Sequence, residues 1–384
     1  MNYDRYKILV IAGVGVISLL FGRIVHLQVF KGNAFARQAF HSHFRRVMVQ
    51  PRRGAIWDRA GRLLAVTLTA DSLCADPVQI VDPDDLADRL AKIIPVSRKV
   101  LTDRLARTDR RFMWLHRGLL PEQSERVRKL DARGLFFRRE RRRVYPAGDD
   151  FGQLLGFCSI DGRGLEGFEA AMEAMLSGEP GEELQAFDAL ARPYSGDSIV
   201  IREAIQGDDL HLTVDSAIQH FASAELRRVL NEEQALWGAA VVMDVHSGDV
   251  LAMVTEPGFN PHRFSDVPAD RRRNRCTTHL LEPGSTFKAV TLAAAIETDQ
   301  FRLTDRVFCE NGRYHVDRTE FSDWKAFGEL TAEDVIAYSS NIGTIKMAHA
   351  VGGPELVSLA GRLGIGRMEV EGLPGMEAAY IRQP

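Results

Sequence analysis

An uncharged apolar run near the N-terminus, ILVIAGVGVISLLFG (8–22), most limits what the first part of this chain can become. Apolar residues continue after Arg23 with IVHLQVF, so residues 8–30 form one largely apolar segment. As an α-helix it would be about 34 Å long, enough to cross the hydrocarbon core of a bilayer. No later stretch is as long and apolar. The sequence therefore predicts one N-terminal membrane helix.

The flanks of this segment indicate how it would be inserted. The short leader, residues 1–7, carries two basic residues, which favours a cytoplasmic N-terminus. A cleavable signal peptide is the alternative, because Ala34–Ala36 (AFA) has a small-x-small form, but that site lies far beyond the apolar run. We expect an uncleaved anchor at 8–30 in the cell (inner) membrane, with the rest of the chain in the periplasm or outside the cell.

Composition narrows the class of protein. The 384 residues, 45% hydrophobic and 26% charged, are typical of a folded protein with two domains, and the net charge of −3 argues against a nucleic-acid partner. The four cysteines form no C-x-x-C pair, which excludes a zinc ribbon and a thioredoxin-like site. We interpret them as small buried residues and predict no metal and no cofactor; they are Cys74, Cys158, Cys276 and Cys309.

The first half of the chain after the anchor predicts a strand-rich domain. The segment 48–76 is β-prone and contains the turn signal Asp58–Gly61 (DRAG), so strands joined by turns are expected. Residues 84–107 and 121–133 carry apolar residues at helical spacing. The run 138–143 has five arginines in six residues. We interpret it as a solvated strand face, with contact to an anionic surface as the alternative.

A second organisation begins near residue 208. A strand is expected at 208–214, followed by a helix capped by Asp215 or Ser216 and, further on, a hairpin around His246–Asp249. Six apolar residues predict the buried stripe of that helix: Ile218, Phe221, Ala222, Leu226, Val229 and Leu230. The order of elements indicates an α+β or α/β fold, with an antiparallel sheet flanked by helices in the second domain.

The segment EPGSTFKAV (282–290) carries a candidate nucleophile. Pro283 and Gly284 are typical of a helix start, which places Ser285 and Lys288 on one face of the first turn. A serine hydroxyl becomes a good nucleophile when a neighbouring base takes its proton, and a partly buried lysine can be that base. The alternative is an N-capping serine followed by a surface lysine.

A matching element lies further along, where Ser339, Ser340 and Asn341 form S-x-N at a break between two helical stretches. S-x-x-K together with S-x-N is typical of penicillin-binding proteins and serine β-lactamases. Six more segments, in the same order, make nearly the whole chain resemble the class B penicillin-binding proteins: RGAIWDRAGRLLA (53–65), RVYPAG (143–148), GRGLEGFE (162–169), LTVDSAIQ (212–219), SGDVLAMVTEPGFNP (247–261) and RNRCTTHLLEPGSTFK (273–288).

This resemblance implies a membrane-anchored peptidoglycan D,D-transpeptidase, somewhat closer to the division-specific (septal) branch. It implies an elongated pedestal domain of the dimerisation type at 48–207 and a serine β-lactamase-like transpeptidase domain at 208–384. The implied partners are peptidoglycan stem peptides as donor and acceptor, β-lactam antibiotics, the membrane, and cell-wall synthesis proteins such as a glycosyltransferase.

The resemblance also implies roles for the site residues. Ser285 would attack the D-Ala-D-Ala end of a stem peptide, with Lys288 as its base and the Ser285 N–H as one oxyanion donor. Ser339 would relay a proton to the leaving amine, and Asn341 would hold Lys288 and the substrate amide.

One family element is absent from these 384 residues. The K-[ST]-G that edges the site in the family does not occur, and no lysine follows Lys346. We therefore expect a transpeptidase domain that is incomplete at its C-terminal end, with a reading frame that continues past Pro384 to encode K-[ST]-G. A non-catalytic scaffold of the cell-wall machinery is the alternative. A serine β-lactamase or a penicillin sensor fits less well, because no E-x-x-L-N follows Asn341.

Overall fold

The computed structural model describes residues 3–27, 44–187, 193–366 and 375–376 of the chain, which falls into two compact units. The first unit comprises Met1–Ile56, Val66–Glu140 and Ala174–Leu210. The second unit comprises Trp57–Ala65, Arg141–Glu173 and His211–Pro384. The chain thus enters the second unit for the last time after Leu210, near the predicted boundary at 208. The division into domains at 48–207 and 208–384 itself stays a prediction.

The described helices are, in chain order, α1 (Tyr3–Val25), α2 (Pro83–Ala91), α3 (Arg98–Leu105), α4 (Pro121–Arg128), α5 (Gly152–Leu155), α6 (Gly167–Ala171), α7 (Glu173–Ser177), α8 (Ser216–Glu232), α9 (Ala269–Arg272), α10 (Arg275–Thr278), α11 (Lys288–Glu297), α12 (Ala332–Ala337), α13 (Asn341–Val351) and α14 (Gly353–Arg362).

The described strands are β1 (Phe44–Val49), β2 (Ile56–Trp57), β3 (Leu63–Ala75), β4 (Met113–His116), β5 (Leu135–Val144), β6 (Gly181–Phe187), β7 (Pro193–Arg202), β8 (Leu210–His211), β9 (Gly238–Met243), β10 (Val250–Glu256), β11 (Arg306–Phe308), β12 (Arg313–Val316), β13 (Thr319–Ser322) and β14 (Glu329–Thr331).

The N-terminal apolar run lies within α1. Side chains are described there from residue 12 onward, and residues 28–30 of the predicted anchor lie outside the described residues. Within the described part of the chain, no helix is both long and apolar enough to cross a membrane. The apolar side chains between residues 12 and 24 of α1 are nevertheless exposed, with fractions that reach 76% at Leu19.

The first unit combines antiparallel strand pairs with three short helices. β6 lies between β1 and β7, and β3 pairs with both β4 and β5. The helices α2, α3 and α4 contribute to one apolar core whose fully buried residues include Leu90, Leu101 and Leu115. The helical pattern predicted over 84–107 is divided into α2 and α3, because Pro95 cannot continue a helix.

The arginine run lies on strand β5, as the sequence predicted, but it is not solvated throughout. Arg143 is buried, and its Nε donates a hydrogen bond to Glu169 Oε1 at 2.7 Å. The exposed fractions of the two side chains are 5% and 0%. The prediction of a solvated face is therefore wrong at Arg143, because a carboxylate on α6 pairs with the guanidinium and so allows its burial.

Several local predictions for the second unit are confirmed. β9 and β10 form an antiparallel hairpin around His246–Asp249. The carboxylate of Asp215 accepts hydrogen bonds from Ala217 N and Ile218 N and caps α8. The sequence TAED (331–334) also predicts a helix start of the capping-box type, and Thr331 Oγ1 accepts a hydrogen bond from Asp334 N at 3.0 Å at the start of α12.

The predicted buried stripe of α8 is wrong in part. Phe221 is 68% exposed and Val229 is 42% exposed, whereas the buried side chains of α8 are Gln219 and Ser223. The Gln219 amide accepts a hydrogen bond from Met253 N at 2.8 Å and donates one to Met253 O at 2.9 Å. An apolar residue could not satisfy these two backbone groups of β10, so a polar side chain faces inward here.

Two apolar clusters support the elements that follow β10. One contains Val307, Val335, Ile342 and Met347, from β11, α12 and α13, among its buried residues. The other joins Ala294 and Ala295 of α11 to residues of α13 and α14. α11 and α13, each of which begins at the last residue of one of the two sequence motifs, are therefore fixed by buried packing.

The four cysteines are all free thiols. Cys74, Cys158 and Cys309 are buried, as the sequence predicted, and Cys276 is half-buried.

Candidate active site

Ser285 lies on a tight turn that leads into α11. Residues Gly284–Phe287 form a single 3₁₀ turn, in which Thr286 N donates to Pro283 O at 3.2 Å. The α-helix itself begins at Lys288, three residues later than the serine. Gly284 has φ of +55°, a conformation that favours glycine, and it lets the chain enter this turn. The Ser285 side chain is exposed at the surface.

Ser339 lies between two helices. α12 ends at Ala337, and α13 begins at Asn341 with Ser340 as its N-cap. Ser339 itself has φ of +56°, which is unusual for a residue with a Cβ atom and costs about 1–3 kcal/mol. This left-handed residue ends one helix and allows the next to start at once.

The two motifs meet through four hydrogen bonds. Ser339 Oγ lies 3.1 Å from Ser285 Oγ. Lys288 Nζ donates to Ser339 Oγ at 3.0 Å, to Ser339 O at 2.7 Å and to Asn341 Oδ1 at 2.7 Å. The structure thus brings together Ser285, Lys288, Ser339 and Asn341, the four residues selected from the sequence.

These contacts determine where a lone pair of Lys288 would point. A carbonyl oxygen and an amide oxygen can only accept hydrogen bonds, so Ser339 O and Asn341 Oδ1 each require an N–H of Lys288. A neutral lysine amine has two such N–H groups and one lone pair. The lone pair would therefore face Ser339 Oγ, which can donate its own proton and accept another from Ser285 Oγ.

The environment of Lys288 favours the neutral amine. Burial lowers the pKa of Lys288 from its ordinary value, and the negative charge of Asp323 partly opposes this effect. A half-buried amine with a lowered pKa is able to accept a proton from a hydroxyl group. Among the described residues, no cluster of His, Cys, Asp and Glu could hold a metal ion.

Sequence reasoning missed the residues that hold the S-x-N segment from the side. Asp323 accepts hydrogen bonds from Asn341 N at 2.5 Å and from Ser340 Oγ at 2.7 Å. Trp324 Nε1 donates to Tyr338 O at 2.9 Å. No periodicity or motif in residues 322–324 indicates these contacts, because they depend on where the β12–β13 hairpin packs.

Two family models match the chain. The model described as penicillin binding protein transpeptidase domain matches residues 238–383, and the one described as penicillin-binding protein dimerisation domain matches residues 48–212. Together these ranges include every residue of the site described above.

Curated relatives are similar over almost the whole chain. The peptidoglycan D,D-transpeptidase FtsI of Escherichia coli is 31% identical over 390 residues, covering 100% of this chain and 66% of that protein. The probable peptidoglycan D,D-transpeptidase PbpC of Pseudomonas aeruginosa is 31% identical over 381 residues, covering 98% of this chain and 67% of that protein. The chain therefore spans about two thirds of the length of these relatives.

A solved structure is similar in fold. Penicillin binding protein 2X from Streptococcus thermophilus has a TM-score of 0.68 and 21% sequence identity to this chain. The similarity covers 88% of this chain and 55% of that one.

Proposed function

The chain belongs to the class B penicillin-binding proteins, and on that premise we propose that it is a serine-type peptidoglycan D,D-transpeptidase. Its substrates would be a stem peptide ending in D-Ala-D-Ala as donor and an amine of a neighbouring strand as acceptor. The observation that carries the proposal is the hydrogen-bonded row of Ser285 Oγ, Ser339 Oγ and Lys288 Nζ. It joins an exposed hydroxyl to a half-buried amine through a group able to pass a proton in either direction.

In the acylation step, Ser285 Oγ bonds to the carbonyl carbon of the penultimate D-Ala. Its proton passes to Ser339 Oγ, whose own proton passes to the neutral Lys288 amine. The C–N bond then breaks, and the departing D-Ala nitrogen takes a proton from Ser339 Oγ, which Lys288 replaces. Splitting one acyl transfer into two covalent steps lowers each barrier.

In the second step, the acceptor amine attacks the ester carbonyl of the acyl-enzyme. The attacking nitrogen gives its proton to Ser339 Oγ, which passes its own proton to Lys288. When the C–O bond breaks, Ser285 Oγ leaves with the bonding electrons and recovers a proton from Ser339 Oγ, which Lys288 replaces. Asn341 keeps Lys288 oriented throughout and offers the substrate amide a hydrogen-bonding group. The Ser285 N–H, at the start of its turn, is one donor to the developing oxyanion.

Fluorescent penicillin tests the proposal, because a β-lactam acylates the same nucleophile. In a full-length version that includes the expected K-[ST]-G, Ser285→Ala should abolish the covalent label, and Lys288→Ala should slow labelling by about 10²-fold or more. Exposed residues of the same unit provide matched controls: Ser265→Ala and Lys325→Ala should label as wild type does. If the full-length wild-type protein gives no label that depends on Ser285, the proposal fails and the scaffold alternative is favoured. Steady release of hydrolysed penicillin would indicate a β-lactamase instead.

We also propose that residues 8–30 anchor the chain in the cell (inner) membrane, with residues 1–7 in the cytoplasm and the remainder in the periplasm or outside the cell. The apolar composition of the segment and the exposed side chains of α1 support this. In this setting the protein would act in septal peptidoglycan synthesis beside partners such as a glycosyltransferase. A mature N-terminus found at Arg37 by protein sequencing would contradict the uncleaved anchor.

A further inference from the structure

Three consecutive residues, Ser322, Asp323 and Trp324, form hydrogen bonds with the chain on both sides of Ser339. On one side, the Trp324 indole Nε1 donates a hydrogen bond to Tyr338 O at 2.9 Å. On the other side, the Ser322 carbonyl accepts one from Asn341 Nδ2 at 3.0 Å. We call residues 322–324 the clamp.

Asp323 is the centre of the clamp. Its Oδ1 accepts the backbone N–H groups of Asn341 at 2.5 Å and Ile342 at 3.1 Å, and its Oδ2 accepts Ser340 Oγ at 2.7 Å. The first helical N–H groups of α13 would otherwise be without an intrahelical acceptor. Hydrogen bonds to an ionised carboxylate are also stronger than those between neutral groups.

The clamp therefore stabilises the left-handed backbone conformation of Ser339, which is unfavourable unless the surrounding structure holds it. Ser339 is held at φ of +56° between a fixed Tyr338 carbonyl and a fixed Asn341 N–H. In this conformation the Ser339 hydroxyl reaches Ser285 while its carbonyl reaches Lys288. A change of φ at this one residue would separate those two contacts.

Asp323 also acts on Lys288 through its charge. Burial lowers the pKa of Lys288, and Asp323 is the one charged group of the described residues that raises it. The other polar groups facing the amine, Ser339 and Asn341, are neutral. The carboxylate thus favours the protonated form of Lys288 that would exist after Ser285 has lost its proton.

We propose that the clamp, with Asp323 on one side of Ser339 and Trp324 on the other, positions the residues of this site. The hydrogen bonds of Asp323 to Asn341 N and Ser340 Oγ hold Ser339 in the left-handed conformation, without touching the substrate. The negative charge of Asp323 acts on Lys288 as a second effect. The catalytic meaning of this role rests on the proposed transpeptidase function, whereas the structural and electrostatic parts do not.

An NMR titration of Lys288 tests the electrostatic part in the full chain. The ε-methylene signal of Lys288 is followed against pH in protein labelled with ¹³C-lysine and assigned with Lys288→Arg. Asp323→Asn keeps the shape and one oxygen acceptor but removes the charge, so it should lower the titration midpoint. Glu320→Gln is the control. The Glu320 carboxylate lies on the neighbouring hairpin and pairs with His315, so its removal should leave the Lys288 midpoint unchanged. An unchanged midpoint in folded Asp323→Asn overturns the electrostatic role.

Trp324→Phe tests the positioning part and remains informative if Asp323→Asn does not fold. It keeps an aromatic ring against Phe327 but removes the donor to Tyr338. We expect penicillin acylation to slow by about tenfold at every pH, with the Lys288 midpoint unchanged. Acylation as fast as wild type overturns the positioning role. If the full-length wild-type protein itself does not react with penicillin, the proposed function fails, and the NMR titration still decides whether Asp323 acts on Lys288.

Discussion

Replacing Arg143 by methionine should destabilise the second unit strongly. Methionine can fill the space of the aliphatic part of arginine, but it leaves Glu169 without the guanidinium that lies 2.7 Å away. Glu169 has an exposed fraction of 0%, so water cannot replace the lost partner. The change therefore measures the cost of removing Arg143 from its ion pair with a buried carboxylate.

The magnitude follows from burial. Removing one partner of a buried ion pair costs about 3–5 kcal/mol, because the other charge stays buried. The pair between Arg228 and Glu232 has the same 2.7 Å separation, but its side chains are 55% and 57% exposed. Such an exposed helical pair contributes about 0.3–0.5 kcal/mol. At about 2–4 °C per kcal/mol for a unit of this size, Arg143→Met should lower Tm by about 6–20 °C and Arg228→Met by about 2 °C or less.

Thermal and urea unfolding, followed by circular dichroism, measure both changes. The double variant Arg143→Met with Glu169→Leu should regain most of the lost stability, because replacing both charges by apolar groups is often close to neutral. Equal losses for Arg143→Met and Arg228→Met would refute the argument that burial determines the cost. Failure of the double variant to recover would show that the lost stability does not come from the ion pair.

Three further outcomes are expected. The rate of acylation by penicillin should rise with pH through the Lys288 pKa, because only the neutral amine accepts a proton. Burial holds this pKa below the ordinary value for lysine. A rate independent of pH across that range would contradict the assignment of Lys288 as the base. Gln219→Leu should lower the free energy of unfolding by about 1–3 kcal/mol for each buried backbone group left unpaired, whereas Phe221→Ser should change it by under about 0.5 kcal/mol. Urea unfolding that gives the reverse order would support the predicted apolar stripe of α8. Burial raises the pKa of the Cys74 thiol to about 11, so iodoacetamide at pH 8 should leave Cys74 unmodified in native protein, and mass spectrometry that finds it modified as fast as in urea would contradict this environment.

Sequence patterns predicted those features of the fold that depend on neighbouring residues. The caps at Asp215 and Thr331 and the hairpin around His246–Asp249 each use residues within a few positions of one another. Their hydrogen bonds form as soon as the local backbone turns, so a short stretch of sequence is enough to indicate them. The pairing of S-x-x-K with S-x-N came from the resemblance to a family rather than from any local rule.

The features that the sequence did not predict depend on partners far away along the chain. Gln219 faces inward because Met253, 34 residues later, presents two backbone groups to it. Arg143 is buried because Glu169, 26 residues later, lies against it. Asp323 belongs to the site because a hairpin packs beside the start of α13. In each case the position of a polar residue is determined by tertiary packing. The spacing of apolar residues along the sequence gives no information about such contacts.

The second unit is assembled from three separate stretches of sequence, and this affects how the protein can be cut or recombined. The Asp58 carboxylate accepts hydrogen bonds from Ser216 N and Ser216 Oγ, and the Asp150 carbonyl accepts one from Gln219. A protein that starts at residue 208 would therefore lack groups that hold both the beginning and the buried face of α8. Exchange of transpeptidase domains between relatives at that junction would combine a helix from one parent with acceptors from the other. A chimera that keeps residues 57–65 and 141–173 with the C-terminal segment preserves these contacts within one lineage.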